Sequence, residues 1–185
     1  MRRYAYRGYL QNMDIKVVKC KQEKHRLREC YKNLFFNKKY DGWNDEFDQS
    51  FDQYSEWFSL INKDVFCRVT YKNNNLVPID TGYKSLIPNN SKACEINNFL
   101  YRDKTDGINL INQVIRRLEQ KGITQIYCIV DKDFNKAYKF NTDLFGFRYI
   151  NKSFPYTSVL KKDTNSPITW DILLKEKTQN GFTYA

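Results

Sequence analysis

The sequence has few of the features that mark several common protein classes. Histidine occurs once, as His25, and no two cysteines form a C-x-x-C pair. A zinc site or a histidine-dependent catalytic triad therefore has little to be built from, and we expect no metal. No stretch of 18 apolar residues occurs, which argues against a transmembrane helix. The first ten residues lack the apolar core of a secretory signal, and this absence favours a cytoplasmic protein.

The length and composition predict one globular domain. The 185 residues are 41% hydrophobic, which is enough for one sizeable core but not for two. We therefore expect a single domain over residues 1–185, with residues 1–13 as a basic N-terminal extension. Cys67, Cys94 and Cys128 each lie in a strand-like run and are expected to be reduced core residues.

Charge is unevenly distributed along the chain, whose net charge is +10. Residues 1–40 carry 12 Lys and Arg against 3 acids, whereas residues 41–64 carry 7 acids against Lys63 alone. A basic body predicts an acidic partner, and nucleic acid, a membrane surface and an acidic carrier protein all fit. Nucleic-acid binding is the non-enzyme alternative, although no DNA- or RNA-binding signature is present and the acidic run interrupts a basic face.

Hydrophobic periodicity and turn residues predict an α/β fold with a mixed, largely antiparallel sheet flanked by helices. The predicted elements are, in order, strand 14–20, helix 22–36, strands 54–60, 65–71 and 93–101, helix 107–121, strand 126–130, helix 133–145, and strands 147–151, 157–161 and 168–175.

The order strand, polar loop, helix over residues 93–121 suggests an anion site. The start of a helix offers backbone N–H groups and the positive end of a dipole, and Arg102 and Lys104 add positive charge beside it. The alternative is an ordinary capped helix, with Thr105 or Asp106 as the N-cap.

The same segment resembles the donor-binding loop of the GNAT acyltransferases. In that family a Q/R-x-x-G-x-G/A signature holds the phosphates of the donor, and this sequence reads K-T-D-G-I-N over residues 104–109. The resemblance implies donor-binding roles for Arg102, Lys104, Gly107, Ile108 and Asn109. A later family segment, loosely N-x-x-A-x-x-x-Y-x-x-x-G-F, is similar to the chain at Asn135, Ala137 and the G-F pair at 146–147. Thr142 stands where the family often has a tyrosine that acts as the general acid.

Four further motifs resemble the LuxI-type acyl-homoserine lactone synthases, GNAT relatives that take acyl chains from acyl carrier protein. They are D-E-F-D-Q-S from Asp45, the C-R pair at 67–68, E-I-N-N-F from Glu95 and Q-K-G-I-T-Q from Gln120. Because Asn98 stands where E-L-S-R-F of those enzymes has arginine, the closer analogue is the FeeM-like N-acyl amino acid synthases. Those enzymes use acyl carrier protein without S-adenosylmethionine.

Together the resemblances imply a single GNAT-like domain with acyltransferase activity. It would move a medium- or long-chain fatty acyl group to an amine of an amino acid or peptide. The donor would be the phosphopantetheine thioester of an acidic acyl carrier protein, or acyl-CoA. An acetyl-CoA-dependent acetyltransferase and a lactone synthase are the alternatives.

A candidate general base and a substrate side follow from the aligned motifs. Glu95 stands mid-strand between apolar neighbours, where a buried carboxylate can take a proton from an amine; its alternative role is an ion pair with Arg68. The implied substrate-side residues are Asp45, Asp48, Arg68, Arg28 and Phe99. Phe99, Trp57, Phe58 and Tyr127 are candidates for an acyl tunnel, or else for the core.

Overall fold

The structure is a computed structural model that describes residues 15–18, 21–34, 55–71, 92–131, 135–156 and 168–185. In chain order its elements are β1 (Ile15–Val17), α1 (Lys21–Leu34), β2 (Ser55–Leu60), β3 (Val65–Thr70), β4 (Ala93–Tyr101), α2 (Lys104–Gln120), β5 (Gln125–Asp131), α3 (Asn135–Lys139), β6 (Arg148–Tyr156) and β7 (Ile168–Glu176). The short helix α3 continues directly as a π-helical segment, Phe140–Leu144.

The predicted elements that fall on described residues are present, with ends shifted by a few residues. The strand predicted at 157–161 lies outside the described residues, and β6 extends the strand predicted at 147–151 to Tyr156. The helix predicted at 133–145 is in place, but its second half has π rather than α geometry. None of the described helices is long and apolar enough to cross a membrane.

The seven strands form one sheet in the order β1-β2-β3-β4-β5-β7-β6. Among the described strands, only β4 and β5 pair in parallel, and all other neighbours are antiparallel. The prediction of a mixed, largely antiparallel sheet is therefore confirmed. A parallel pair needs a crossover connection, and α2 supplies it between β4 and β5.

Helix α2 covers one side of the sheet, which we call the α2 face. Its apolar stripe, which includes Leu110, Val114 and Leu118, is fully buried and packs with sheet residues in one core. Each such side chain contributes about 1.5–3 kcal/mol by leaving water. The free thiols of Cys67, Cys94 and Cys128 are buried in the same core, as predicted.

Helix α1 lies on the opposite side, which we call the α1 face. Arg26 donates from Nη2 to Ser59 Oγ at 2.9 Å and from Nη1 to the Lys63 carbonyl at 3.0 Å. Leu27, which is also on α1, is buried. These contacts fix α1 across the β2–β3 hairpin.

The segment after β7 docks along α2. Phe182 is buried, and the Tyr184 hydroxyl donates to Glu119 Oε2 at 2.7 Å. Asn112, itself buried, donates to the Ala185 carbonyl at 2.9 Å and accepts from the Ala185 N–H at 3.1 Å. The segment therefore satisfies a polar side chain that burial would otherwise penalise.

Candidate functional site

The two parallel strands β4 and β5 pair for only part of their length. Their register runs over residues 93–95 of β4 and 125–127 of β5 and then ends. Beyond it β4 stays paired with β3, and β5 stays paired with β7. The strands therefore no longer pair with each other over residues 96–101 of β4 and 128–131 of β5. We call this opening the β4–β5 fork. The edges that β4 and β5 turn toward each other beyond this register suit an extended ligand that carries its own amide groups.

A β-bulge interrupts β4 at the fork. On β3 the register shifts between Phe66, which pairs with Leu100, and Arg68, which pairs with Asn97. Strand β4 thus carries one extra residue, and Asn98 within it has a φ of 46°. Asparagine tolerates this left-handed conformation better than most residues, and bulges are enriched beside active sites because they redirect side chains.

The bulge reverses the alternation of side chains along β4. Before it, Cys94 and Ile96 belong to the core on the α2 face, so Glu95 points to the α1 face. After it, Phe99 and Tyr101 pack against that same core. The bulge therefore assigns the carboxylate to one side of the fork and the aromatic rings to the other.

Glu95 lies at the root of the fork, at the last rung where β4 still pairs with β5. Its register partners are Thr70 on β3 and Tyr127 on β5, and only 3% of it is exposed. Burial raises the pKa of the Cys128 thiol, and the charge of Glu95 adds to this effect. A buried carboxylate at this point can accept a proton from a group entering the fork.

Arg68 shares the α1 face with Glu95. Its Nε donates to Asn97 Oδ1 at 2.8 Å, and Asn97 is its register partner on β4. The structure thus brings Glu95, Asn97 and Arg68 onto one face beside the fork. The sequence motifs pointed to Glu95 and Arg68 but not to Asn97.

Aromatic rings fill the α2 side of the fork. Phe99 and Tyr101 lie 5.3 Å apart between ring centroids, and Phe140 of the π-helical segment lies 5.4 Å from Phe99 and 5.3 Å from Tyr101. A Cβ on Gly107 would lie 2.9 Å from Tyr101 Cγ and 3.2 Å from Phe99 Cζ. Gly107 is thus required by the packing of these rings. We call Phe99, Tyr101 and Phe140 the aromatic cluster.

The start of α2 is capped by Asp103. Its Oδ1 accepts from the Thr105 N–H at 2.8 Å and from the Asp106 N–H at 3.1 Å. The helix thus begins at Lys104, and the sequence-based choice of Thr105 or Asp106 as the N-cap is wrong. Glycine is a poor helix former, so Gly107 made the start seem later than it is.

The residues predicted to bind a donor do surround this helix start. Arg102 and Lys104 are exposed, Gly107 is buried, and Ile108 and Asn109 are half-buried. Arg102 is tied to the β2–β3 turn, since its Nε lies 2.9 Å from Asp64 Oδ2. The sequence missed the acid that caps this helix start, and donor binding by these residues stays a prediction.

A charged cluster lies at the other end of β3, away from the fork. Tyr71 donates from its hydroxyl to Glu56 Oε2, and Lys121 Nζ lies 2.8 Å from the same oxygen. Partial burial acts to raise the pKa of Glu56, but the hydrogen bonds from Lys121 and Tyr71, with the charges of Lys121 and Arg117, hold it below its ordinary value. In the described residues no group of three or more His, Cys, Asp and Glu could hold a metal ion.

Comparison with solved structures identifies the fold. A probable acetyltransferase from Staphylococcus epidermidis matches with a TM-score of 0.65 and 15% identity over 89% of this chain and 99% of that chain. The ribosomal-protein-S18-alanine N-acetyltransferase from Escherichia coli matches with 0.61 and 13% over 92% and 99%. An aminoglycoside 6'-N-acetyltransferase complexed with coenzyme A matches with 0.59 and 13% over 89% and 97%.

This chain has the GNAT fold. The prediction of fold class is thereby confirmed. At the level of sequence, no protein-family model and no curated protein matches the chain. The fold likeness concerns the arrangement of strands and helices. The chemistry of the site depends on this chain's own residues.

Two predicted substrate-side residues cannot be placed, because Asp45 and Asp48 lie outside the described residues. Arg28 is half-buried on α1. Thr142 stands at the position of the general-acid tyrosine of the GNAT motif. Its hydroxyl donates to the Tyr138 carbonyl at 3.1 Å. That hydroxyl therefore bonds to its own helix.

Proposed function

We propose that this chain is an N-acyltransferase that moves an acyl group from a pantetheine thioester to an amine. The observation that carries the proposal is the β4–β5 fork within a GNAT fold, with buried Glu95 at its root. An extended arm with amides can bond to the strand edges that face the fork and bring its thioester to the carboxylate. In support, one structural neighbour with the same fold is in complex with coenzyme A.

Glu95 serves as the general base in this proposal. It takes a proton from the ammonium form of the acceptor, and the neutral nitrogen attacks the carbonyl carbon of the thioester. The C–N bond forms and the C–S bond breaks, with its electron pair leaving on sulfur. The second amine proton goes to the thiolate, and Glu95 returns its own proton to solvent. Backbone N–H groups in the second half of β5 are the proposed donors to the oxyanion.

The acceptor enters from the α1 face, where Arg68 and Asn97 lie beside Glu95. A guanidinium there suits an acceptor that carries a carboxylate, which favours an amino acid or a peptide. Arg28 on α1, together with Asp45 and Asp48, completes the proposed acceptor side.

The acyl chain is proposed to be a medium- or long-chain fatty acyl group. Trp57 and Tyr127 are buried on the α1 face, where Tyr127 is the register partner of Glu95 and Trp57 that of Arg68, and Phe99 lies across the fork in the aromatic cluster. Phe58, by contrast, belongs to the core on the α2 face. The net charge of +10 suits an acidic carrier protein as the donor, because opposite charges speed encounter.

Acetyl transfer from acetyl-CoA is the second candidate, favoured by the three acetyltransferases that share the fold. Steady-state kinetics with acetyl and octanoyl thioesters on coenzyme A and on acyl carrier protein separate the two. A fatty acyltransferase uses the octanoyl donors with the higher kcat/KM, whereas an acetyltransferase uses the acetyl donors.

Substitution of the base tests the proposed mechanism. Glu95→Gln keeps the size of the side chain but removes the proton acceptor, and kcat should fall about 10²–10⁴-fold. The rate of the variant should recover as pH rises, because the acceptor amine then loses its proton without help. Glu176→Gln is the matched control, since Glu176 pairs with Gln125 at the closed end of the fork and is exposed. Wild-type turnover in Glu95→Gln would remove Glu95 from the mechanism.

A further inference from the structure

The start of α2 is already occupied by the protein's own negative charge. Two of the N–H groups that a helix start offers to an anion, those of Thr105 and Asp106, bond to the Asp103 carboxylate at 2.8 and 3.1 Å. The Gly107 N–H bonds to the Asp103 carbonyl at 3.0 Å. A phosphate at this position would have to displace a carboxylate that is covalently held in place.

The basic side chains near the helix start are offset by acids. Arg102 binds Asp64 through its Nε, at 2.9 Å, and through its backbone N–H, at 3.0 Å from the Asp64 carbonyl. Lys63 Nζ lies 3.5 Å from Asp106 Oδ2. With Lys104 and Asp103, three basic and three acidic side chains lie around this helix start, so the local charge does not favour a diphosphate.

Gly107 is explained without a phosphate. Glycine in such a loop allows the backbone to approach a bound anion closely. Here the space that its side chain would take is filled by Tyr101 and Phe99, at 2.9 and 3.2 Å. The glycine of K-T-D-G-I-N is therefore accounted for by the aromatic cluster.

We propose that the start of α2 does not hold a diphosphate, so that the nucleotide half of coenzyme A contributes little to recognition of the donor. This inference rests on the proposed function. It assigns as donors pantetheine thioesters in general, whether or not a diphosphate follows. A diphosphate site would instead add charge-assisted hydrogen bonds, each worth about tenfold or more in affinity.

A comparison of three donors with the same octanoyl group tests the proposal. Octanoyl-CoA, octanoyl-4'-phosphopantetheine and octanoyl-pantetheine are compared by kcat/KM with one amine acceptor at low ionic strength. We expect the three values to agree within about threefold, less than one charge-assisted hydrogen bond would give. A preference of more than about tenfold for octanoyl-CoA over octanoyl-pantetheine overturns the inference and leaves the proposed function standing. Turnover of octanoyl-acyl carrier protein but of none of the three overturns the inference alone, whereas turnover of no octanoyl or acetyl thioester defeats both.

Substitution of the N-cap residue Asp103 tests whether its carboxylate is what excludes the diphosphate. Asp103→Ser retains an oxygen that can cap the helix but removes the carboxylate from the anion position. The ratio of kcat/KM for octanoyl-CoA to that for octanoyl-pantetheine should rise about tenfold, and a ratio is insensitive to a uniform loss of folded protein. Glu176→Gln, which removes a charge at the closed end of the fork, should leave the ratio unchanged. An unchanged ratio in Asp103→Ser shows that Asp103 does not exclude the diphosphate.

Discussion

Substitution of Gly107 by alanine tests whether the aromatic cluster determines how α2 meets β4. The new methyl group would lie 2.9 Å from Tyr101 Cγ, 3.0 Å from Tyr101 Cδ1 and 3.2 Å from Phe99 Cζ. Carbon atoms at optimal separation lie about 3.5–4.0 Å apart, so the rings or the helix must move. The rings cannot swing away freely, because Phe140 stacks on Tyr101 at a centroid distance of 5.3 Å.

Two opposing effects determine how much Gly107→Ala changes the free energy of unfolding. Alanine favours the helix over glycine by up to about 1 kcal/mol, whereas overpacking a filled site costs about 1–3 kcal/mol. Because Gly107 lies in the first turn of α2, where helix propensity counts least, we expect overpacking to win. The free energy of unfolding should fall by about 1–2 kcal/mol in Gly107→Ala.

Urea denaturation followed by circular dichroism measures this loss, and a double-mutant cycle identifies its cause. In a Tyr101→Ala background both close contacts with Tyr101 disappear, so the cost of Gly107→Ala should shrink by at least about 1 kcal/mol. Gly122→Ala is the control at the other end of α2. It has nothing within 4 Å but a φ of +80°, so its cost of about 1 kcal/mol comes from the backbone and should not couple to Tyr101. Equal costs of Gly107→Ala in both backgrounds would refute the reasoning.

Two further predictions concern stability away from the fork. The pKa of Glu56 is held below its ordinary value of 4.5, so its interactions stabilise the fold above that pH and are lost as pH falls through the lowered pKa. Glu56→Gln should therefore lower the free energy of unfolding at neutral pH, and a difference from wild type that does not shrink in acid would contradict this. Phe182→Ala should cost about 3–5 kcal/mol in urea denaturation, because the ring is buried in the core that α2 shares with the sheet. Tyr184→Phe, which loses one exposed hydrogen bond, should cost no more than about 1 kcal/mol, and a similar loss in both variants would show that Phe182 is not an anchor.

Much of the fold could be predicted because its signals are local and periodic. Helix α2 has an apolar stripe and is followed by Gly122, and β5 contains an unbroken apolar run over residues 126–130. The core prediction for Cys67 and Cys94 followed from their place in such runs, and burial raises the pKa of both thiols. Strand order, by contrast, depends on contacts between segments that are distant in sequence, and local periodicity does not encode it.

The candidate site was predicted only in part, because its decisive features are not periodic. Glu95 stood out as a charged residue among apolar neighbours, whereas the bulge at Asn98 depends on a single φ angle. Two successive asparagines, Asn97 and Asn98, were the available signal, since asparagine tolerates the left-handed region. Asp103 is a good N-cap residue by type, but the glycine four residues later obscured the start of the helix.

The bulge also explains how one strand can serve both substrates of the proposed reaction. In a regular strand, Glu95, Asn97 and Phe99 would all point to the same face. The extra residue at Asn98 leaves Glu95 and Asn97 on the α1 face but turns Phe99 to the α2 face. A thioester lying along the edge of β4 that faces the fork would then have a carboxylate on one side and aromatic rings on the other. The amine must therefore approach from the α1 face, which is where Arg68 lies.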